Sequence, residues 1–414
     1  MVIDVLKTYG GDCTCGKTHS LETEIMVVEC DALKKANEYI EAYGIKGFTV
    51  AVYDENTYKA TADRHPKVDA EVILSPDNLH ANEHGVALLE QRLPKEAQVL
   101  IAVGSGTIHD ITRYCAYTHN ATFVSCPTAA SVDGFCSSVA AMTWNGCKKT
   151  LTAVAPKIVI ADTTIFQNAP FFLTRSGFGD MIGKFIALTD WKISNILKGE
   201  YYCDRIASLT KEATDEVLHS ADGICNGDTK AYESLMRGLL LSGIAMQLLG
   251  NSRPASGAEH HISHIIEMSP APLEVKSDAL HGEKVGVGTL MAIKEYHRIC
   301  DSTNIEFCDY KSRTTDELLE IFGEGMYLDI VKENQTDSGA GVTSEMLNSN
   351  WDKIVATVAA LPTAEELEAI YVQLGMKRAL SDIEVSEDKK DVLLECSPLV
   401  RNRLTLMRLR RCIK

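Results

Sequence analysis

Over the first 165 residues, short apolar runs alternate with stretches of helical periodicity. The runs Phe48–Tyr53, Gln98–Val103, Thr122–Ser125 and Lys157–Ala161 are largely apolar, and each is soon followed by Asp, Gly or Pro. Runs of this kind, spaced by helices, predict the strands of a buried parallel sheet built from βαβ units. After Pro170 the pattern changes to long helical segments with few strand signals. We therefore expect an α/β domain over residues 1–165 and an all-helical domain over 166–414. The most apolar stretch, Gly238–Gly250, is bounded by Arg237 and Asn251 and falls short of the roughly 20 residues of a membrane span. It predicts a buried helix and no membrane partner.

Composition narrows the picture. The 414 residues exceed the roughly 250–300 that one hydrophobic core supports, which agrees with two domains. Hydrophobic residues at 45% and charged residues at 24% exclude a mainly disordered chain. Lys and Arg number 41 against 57 Asp and Glu, and the net charge of −16 argues against broad binding to nucleic acid or an anionic membrane. Thirteen cysteines follow no disulfide-framework spacing, and the opening MVIDVLKTYGGD lacks the basic start and apolar run of a signal peptide. Reduced thiols and a cytoplasmic setting are expected.

Several motifs suggest chemistry. Gly11 to Thr18 matches a nucleotide phosphate-loop pattern containing Lys17, yet His19–Val28 alternates like a strand. That loop requires a helix after it, so a kinase or ATPase reading is disfavoured. Cys13, Cys15 and His19 make a C-x-C-x3-H trio without an evident fourth ligand, and we read them as surface-loop thiols. The loop Gly104-Ser105-Gly106-Thr107-Ile108-His109-Asp110 follows an apolar strand and leads into a helical run from Ile111. Its glycines let backbone approach a pyrophosphate at a helix N-terminus. Asp54 ends an earlier strand, where a carboxylate suits the hydroxyls of an adenosine ribose; the alternative is an ordinary turn residue. Ser125–Gly134, with Thr128, Ser131 and Asp133, is a small, hydroxylated loop suited to a flat ring.

The helical half carries the densest constellation. Gly177-Phe178-Gly179-Asp180 leads into a helical run, followed later by Glu259-His260-His261-Ile262-Ser263-His264 and by His281-Gly282-Glu283. His260 and His264 share a helix face. One carboxylate with two imidazoles makes a three-ligand metal site with positions left for a substrate oxygen. Arg253, just ahead of the histidine helix, offers a planar match to a phosphate; the rival reading pairs it with a neighbouring carboxylate. The C-terminal Arg401, Arg403, Arg408, Arg410, Arg411 and Lys414 read as a solvated helix end.

In this order the motifs resemble those of the iron-type, metal-dependent polyol dehydrogenases, and most closely the glycerol-1-phosphate dehydrogenase family. The likeness runs from about Phe48 to Gly288. It implies an α/β dinucleotide-binding domain followed by an all-α metal domain, the dehydroquinate synthase-like architecture. It implies Asp180, His260 and His281 as metal ligands, with His264 beside the substrate and Asp133 touching substrate or ribose. Asp54, Gly104, Ser105, Gly106, Thr107, Asp110, Thr128, Ser131 and Ser137 would hold NAD or NADP. The ion would be zinc, nickel or iron. Lys184 stands where some iron-dependent relatives have a further histidine, which favours the three-ligand pattern. The implied reaction is reduction of dihydroxyacetone phosphate to glycerol 1-phosphate, by a homodimer or larger homo-oligomer. A glycerol dehydrogenase-like oxidoreductase and a dehydroquinate synthase-like lyase are the alternatives.

Overall fold

The computed structural model describes residues 1–144 and 147–414. The strands in chain order are β1 (Val2–Asp4), β2 (Gly11–Asp12), β3 (Thr18–His19), β4 (Ile25–Glu29), β5 (Phe48–Asp54) and β6 (Ala70–Leu74). They continue as β7 (Ala97–Gly104), β8 (Thr122–Pro127), β9 (Val139–Trp144), β10 (Cys147–Thr152) and β11 (Ile158–Asp162). Seven of them form one sheet in the order β1-β4-β11-β8-β7-β5-β6. The sheet is parallel except for β1, which runs antiparallel to β4. The four runs read from the sequence are β5, β7, β8 and β11.

Both faces of the sheet are covered. Val27, Tyr53, Ile101, Val124 and Ile160 pack on one side, and Val50, Val52, Leu100, Ala102 and Phe123 on the other. This double burial explains the nearly continuous apolar runs. β6 lies at the sheet edge with mixed burial, so it carries no such run. β2 and β3 form a hairpin, and no helix opens at Thr18. The phosphate-loop geometry is therefore absent.

Packing divides the chain into two compact units, residues 1–181 with 215–251, and 182–214 with 252–414. Named strands end at Asp162, close to the expected change of texture, but helices from the second half join the sheet's unit. One of these, Thr229–Leu249, contains the apolar stretch anticipated as a buried helix, with Leu235, Leu239 and Ile244 inside. Helical periodicity marks a buried face without saying which core receives it. Among the described residues, no helix is long and apolar enough to cross a membrane.

In the second unit, the basic C-terminus is not a solvated helix end. Arg408 is 2% exposed, and its Nη1 donates to Asp337 Oδ1 at 2.6 Å. Its Nη2 reaches Asn334 Oδ1 at 2.7 Å and the carbonyls of Pro398 and Arg401 at 2.7 and 3.0 Å. Arg410 Nε donates to Glu295 Oε1 at 2.5 Å. The acidic partners lie 71 and 115 residues upstream, beyond any local pattern. Removing one member of a buried ion pair leaves the other charge uncompensated, at a cost of about 3–5 kcal/mol. Arg408→Ala is expected to lower unfolding stability on that scale, read from the urea midpoint. An unchanged midpoint would show that the Asp337 pair contributes nothing.

Candidate functional site

In the first unit, β5, β7 and β8 are parallel neighbours, so their carboxyl ends emerge together. Asp54 ends β5, Gly104 ends β7, and Thr128 follows β8 directly. Ligands of open α/β sheets bind beyond these strand ends. Ser105 is the N-cap of the helix Gly106–Thr118, so Gly106 and Thr107 form its first turn. The Thr128 N–H donates to the Gly104 carbonyl at 2.9 Å, joining the two loops. Asp54 accepts the N–H groups of Asn56 and Thr57 on Oδ1 at 2.8 and 2.9 Å, capping the helix Glu55–Ala60. The turn role weighed from sequence is thus real, and it leaves Oδ2 outside the cap.

Two residues without an assigned role from sequence fix these loops. Arg113 is wholly buried and donates to the carbonyls of Phe135, Ser137 and Val139 at 3.0–3.1 Å, with Asp110 at 3.9 Å from its Nε. His109 bonds the Ser105 carbonyl through Nδ1 at 3.0 Å and the Ser125 hydroxyl through Nε2 at 2.8 Å. Burial, followed by Arg113, pushes His109 down to about 3, so it stays neutral.

The loop after β8 is held from several sides. Ser131, buried, accepts the Ser176 hydroxyl on its carbonyl at 3.1 Å, and Ser137 Oγ accepts the Val139 N–H at 3.1 Å. Asp133 Oδ2 accepts the Ser242 hydroxyl at 2.8 Å, and the Asp133 N–H donates to Asp180 Oδ2 at 2.9 Å. Asp180 is fully buried in the last turn of the helix Phe171–Ile182. The Gly177–Asp180 motif therefore lies inside one helix and directly ahead of the next, Lys184–Lys198. Its glycine serves close packing, because a Cβ on Gly177 would strike the Ala130 carbonyl.

In the second unit, His260 and His264 lie on the helix Ala258–Met268, and His281 opens the helix His281–Cys300. The three rings gather with centroids 5.3–6.1 Å apart. His260 Nδ1 meets Glu259 Oε1 at 2.6 Å, and His281 Nδ1 meets Glu267 Oε1 at 2.7 Å. A carboxylate on Nδ1 fixes the tautomer that leaves Nε2 as a metal ligand, the usual arrangement behind metal-bound imidazoles. The donor set thus fits a divalent ion. Burial, then the neighbouring Arg401 charge, holds His264 well below the usual imidazole range.

Asp190 ties this cluster together. The fully buried carboxylate accepts the Ala258 N–H on Oδ2 at 2.9 Å, and the Leu406 N–H and Tyr296 hydroxyl on Oδ1, both at 2.8 Å. It thereby caps the His260 helix from another element and grips the His281 helix through Tyr296. Gly257 permits this approach, since a Cβ there would lie 2.8 Å from both Ala187 Cα and Asp190 Oδ2. Sequence reasoning passed over Asp190, Glu259 and Glu267 as functional residues. The available signals were a carboxylate in the apolar run Phe185–Trp191 and glutamates next to the histidines.

Arg253 takes its rival reading. Its Nε and Nη2 hold Glu200 at 2.8–3.2 Å, and Nη2 also donates to the Leu404 carbonyl at 2.6 Å. The planar face expected for a phosphate is occupied by a carboxylate from a loop 53 residues away. Arg403 instead donates to the Ser252 and Ser256 carbonyls and the Ser252 hydroxyl, with no carboxylate partner among the described residues.

Known proteins match this chain in sequence and in fold. Residues 27–170 match the family model described as iron-containing alcohol dehydrogenase. The glycerol-1-phosphate dehydrogenase (NAD(P)+) of Bacillus licheniformis is 40% identical over 309 residues, 72% of this chain and 77% of that protein. Its counterpart from Halalkalibacterium halodurans is 30% identical over 412 residues, 97% of this chain and 96% of that protein. A probable glycerol dehydrogenase from Sinorhizobium meliloti superposes with a TM-score of 0.63 at 14% identity, covering 95% of both chains. The NADH-dependent butanol dehydrogenase A of Thermotoga maritima gives 0.61 at 14% identity, covering 95% of this chain and 93% of that one. These superpositions establish the shared fold, a parallel-sheet α/β domain followed by a helical domain.

The neutral, buried His109 has a consequence for stability. Between its folded value of about 3 and the ordinary 6.5, the unfolded chain binds the proton and the folded chain does not. Stability contributed by this group is therefore lost as pH falls below about 6.5, by roughly 2 kcal/mol between pH 7 and pH 5. His109→Asn is expected to flatten the pH dependence of the urea midpoint by that amount. Equal slopes in wild type and variant would refute the assignment.

Proposed function

We propose a reaction scheme from one premise: the chain belongs to the glycerol-1-phosphate dehydrogenase family. It is an NAD(P)-dependent oxidoreductase that reduces dihydroxyacetone phosphate reversibly to glycerol 1-phosphate, with a divalent metal ion as cofactor. The observation that carries the reading is the match to a named relative along nearly the whole of both chains. The carboxylate-backed pair His260 and His281 supports the metal.

In this scheme Asp180, His260 and His281 hold the ion, which is zinc, nickel or iron, and Glu259 and Glu267 keep both imidazole Nε2 atoms directed toward it. When bound, the ion polarises the substrate C2 carbonyl and the nicotinamide supplies hydride. The first turn at Gly104, Ser105, Gly106, Thr107 and Asp110 receives the pyrophosphate, and Thr128, Ser131 and Ser137 flank the nicotinamide. Asp54 offers Oδ2 to the ribose and repels a 2′-phosphate, favouring NADH. Asp133, anchored by Ser242, and His264 hold the hydroxyl end of the substrate. A homodimer or larger assembly in the cytoplasm completes the reading.

The substrate phosphate moves from Arg253 to Arg403 in this scheme. Burial first, and then the neighbouring Arg253 and Arg401 charges, bring Arg403 down to about 10 against the opposing pull of Glu200 and Glu259. An anion bound here would favour its charged form. In a coupled assay on the metal-reconstituted enzyme, NADH should be consumed with dihydroxyacetone phosphate and far more slowly with dihydroxyacetone. A lyase would show no net NADH turnover, and either that result or equal rates on the two substrates would sink the reading. Arg403→Ala should lose about 10–150-fold on the phosphorylated substrate alone, corresponding to a charge-assisted bond of roughly 1.5–3 kcal/mol. Arg253→Ala should reduce both rates equally, because it supports the fold around Leu404.

The backing carboxylates give a separate readout. Glu259→Gln and Glu267→Gln are each expected to weaken metal retention about 10–100-fold in chelator competition, the usual scale for outer-shell partners. Retention equal to wild type in both variants would remove them from the metal site.

A further inference from the structure

The N-terminal hairpin carries a second cluster of ligating atoms that the reaction does not use. β2 and β3 pair Gly11 with His19 and Asp12 with Thr18. The connecting turn is closed by Cys13 N–H to the Lys17 carbonyl at 3.1 Å and Gly16 N–H to the Cys13 carbonyl at 3.0 Å. The Thr18 hydroxyl donates to Asp12 Oδ1 at 2.6 Å and braces the strands. Within this frame the ligating atoms of Cys13, Cys15 and His19 all lie within 4.8 Å of one another. Cys15 Sγ stands 3.4 Å from His19 Nε2. Zinc–sulfur and zinc–nitrogen bonds at the tetrahedral angle place those two atoms about 3.5 Å apart.

His19 has the second feature of a metal ligand. It is 4% exposed, and its Nδ1 lies 2.8 Å from the Leu248 carbonyl at the end of the helix Thr229–Leu249. A carbonyl partner requires the proton on Nδ1, which leaves the Nε2 lone pair toward the two sulfurs. The two thiols lie half-buried on a surface loop, as expected, beside a buried histidine clamped to a distant helix.

We propose that Cys13, Cys15 and His19 bind a thiophilic divalent ion, zinc above all, in a structural site separate from the catalytic ion. Two thiolates and an imidazole suit zinc, and a fourth donor or water completes four-coordination. Binding replaces the two thiol protons, which pass to solvent, and forms two metal–sulfur bonds and one metal–nitrogen bond without a redox change. The ion would clip the N-terminal hairpin to the helix Thr229–Leu249 through His19. The proposal stands apart from the reaction scheme, since its readouts involve no turnover.

The test titrates reduced, metal-free, full-length protein with Co2+ and follows the thiolate-to-cobalt charge-transfer absorption in the near ultraviolet. Wild type and His260→Ala should both develop the band. Cys13→Ser/Cys15→Ser should lack it, and His19→Ala should weaken binding by at least about 10–100-fold. A second measurement needs no variant: Zn2+ should slow alkylation of Cys13 and Cys15 at least tenfold, as followed by mass spectrometry. Cys30, which is exposed, serves as the unprotected reference. Absence of the band in wild type, its persistence in the double variant, or alkylation indifferent to Zn2+ would each overturn the site. None of these results bears on reduction of dihydroxyacetone phosphate.

Discussion

The histidine cluster depends on one buried carboxylate. Asp190 binds the first N–H of the His260 helix, the Tyr296 hydroxyl from the His281 helix, and the Leu406 N–H from the C-terminal segment. Burial lifts its carboxyl to about 7 despite these donors, so burial outweighs three hydrogen bonds. Such a group is retained because each oxygen has its donors, and because an apolar substitute would release two helices and a chain end together. The histidine rings lie against one another, with centroids 5.3–6.1 Å apart. Their geometry comes from the elements that Asp190 holds and from Glu259 and Glu267 behind the rings.

The first unit solves a similar problem with opposite charges. There the side chain at the centre is Arg113, whose guanidinium reaches the carbonyls of Phe135, Ser137 and Val139 and so gathers the loop beyond β8. Loops normally run over the surface because buried backbone polar groups need partners. A buried arginine supplies those partners and allows the loop to lie against the sheet. Ser242 and Ser176 add hydrogen bonds from the helices, and Gly177 allows one helix to approach the loop backbone closely.

These two centres show what was legible in the sequence. The strand–glycine–helix passage at Gly104–Asp110 was readable because its chemistry is local: an apolar run, a tight turn and a cap within about 15 residues. The pair His260 and His264 was readable from helical spacing, and the reaction class followed from the order of the motifs. The second shell was not. Glu267 serves a histidine on the following helix, Asp190 serves Ala258 and Leu406 across 68 and 216 residues, and Arg253 finds Glu200 across 53. Composition reveals that these charges exist but not which are buried together. The basic tail was misread for the same reason, since a run of arginines looks alike whether its carboxylates are distant in sequence or absent.

Charge pairing also limits what the net value of −16 means. The net value hides paired charges: Asp337 neutralises Arg408, Glu295 answers Arg410, and Glu200 answers Arg253, which leaves the excess itself unchanged. A buried cation without such a partner is costly, so its persistence calls for an account. Arg113 has one in its three carbonyls and nearby Asp110. Half-buried Arg403 hydrogen-bonds only neutral oxygens of Ser252 and Ser256, and the charges around it are Arg253 and Arg401 on one side and Glu200 and Glu259 on the other. A dianionic phosphate would supply the missing counter-charge, whereas an uncharged polyol end would not. In the proposed scheme an overall acidic protein would select a phosphorylated substrate through one half-buried arginine that has no carboxylate ion pair among the described residues, without a surface basic patch.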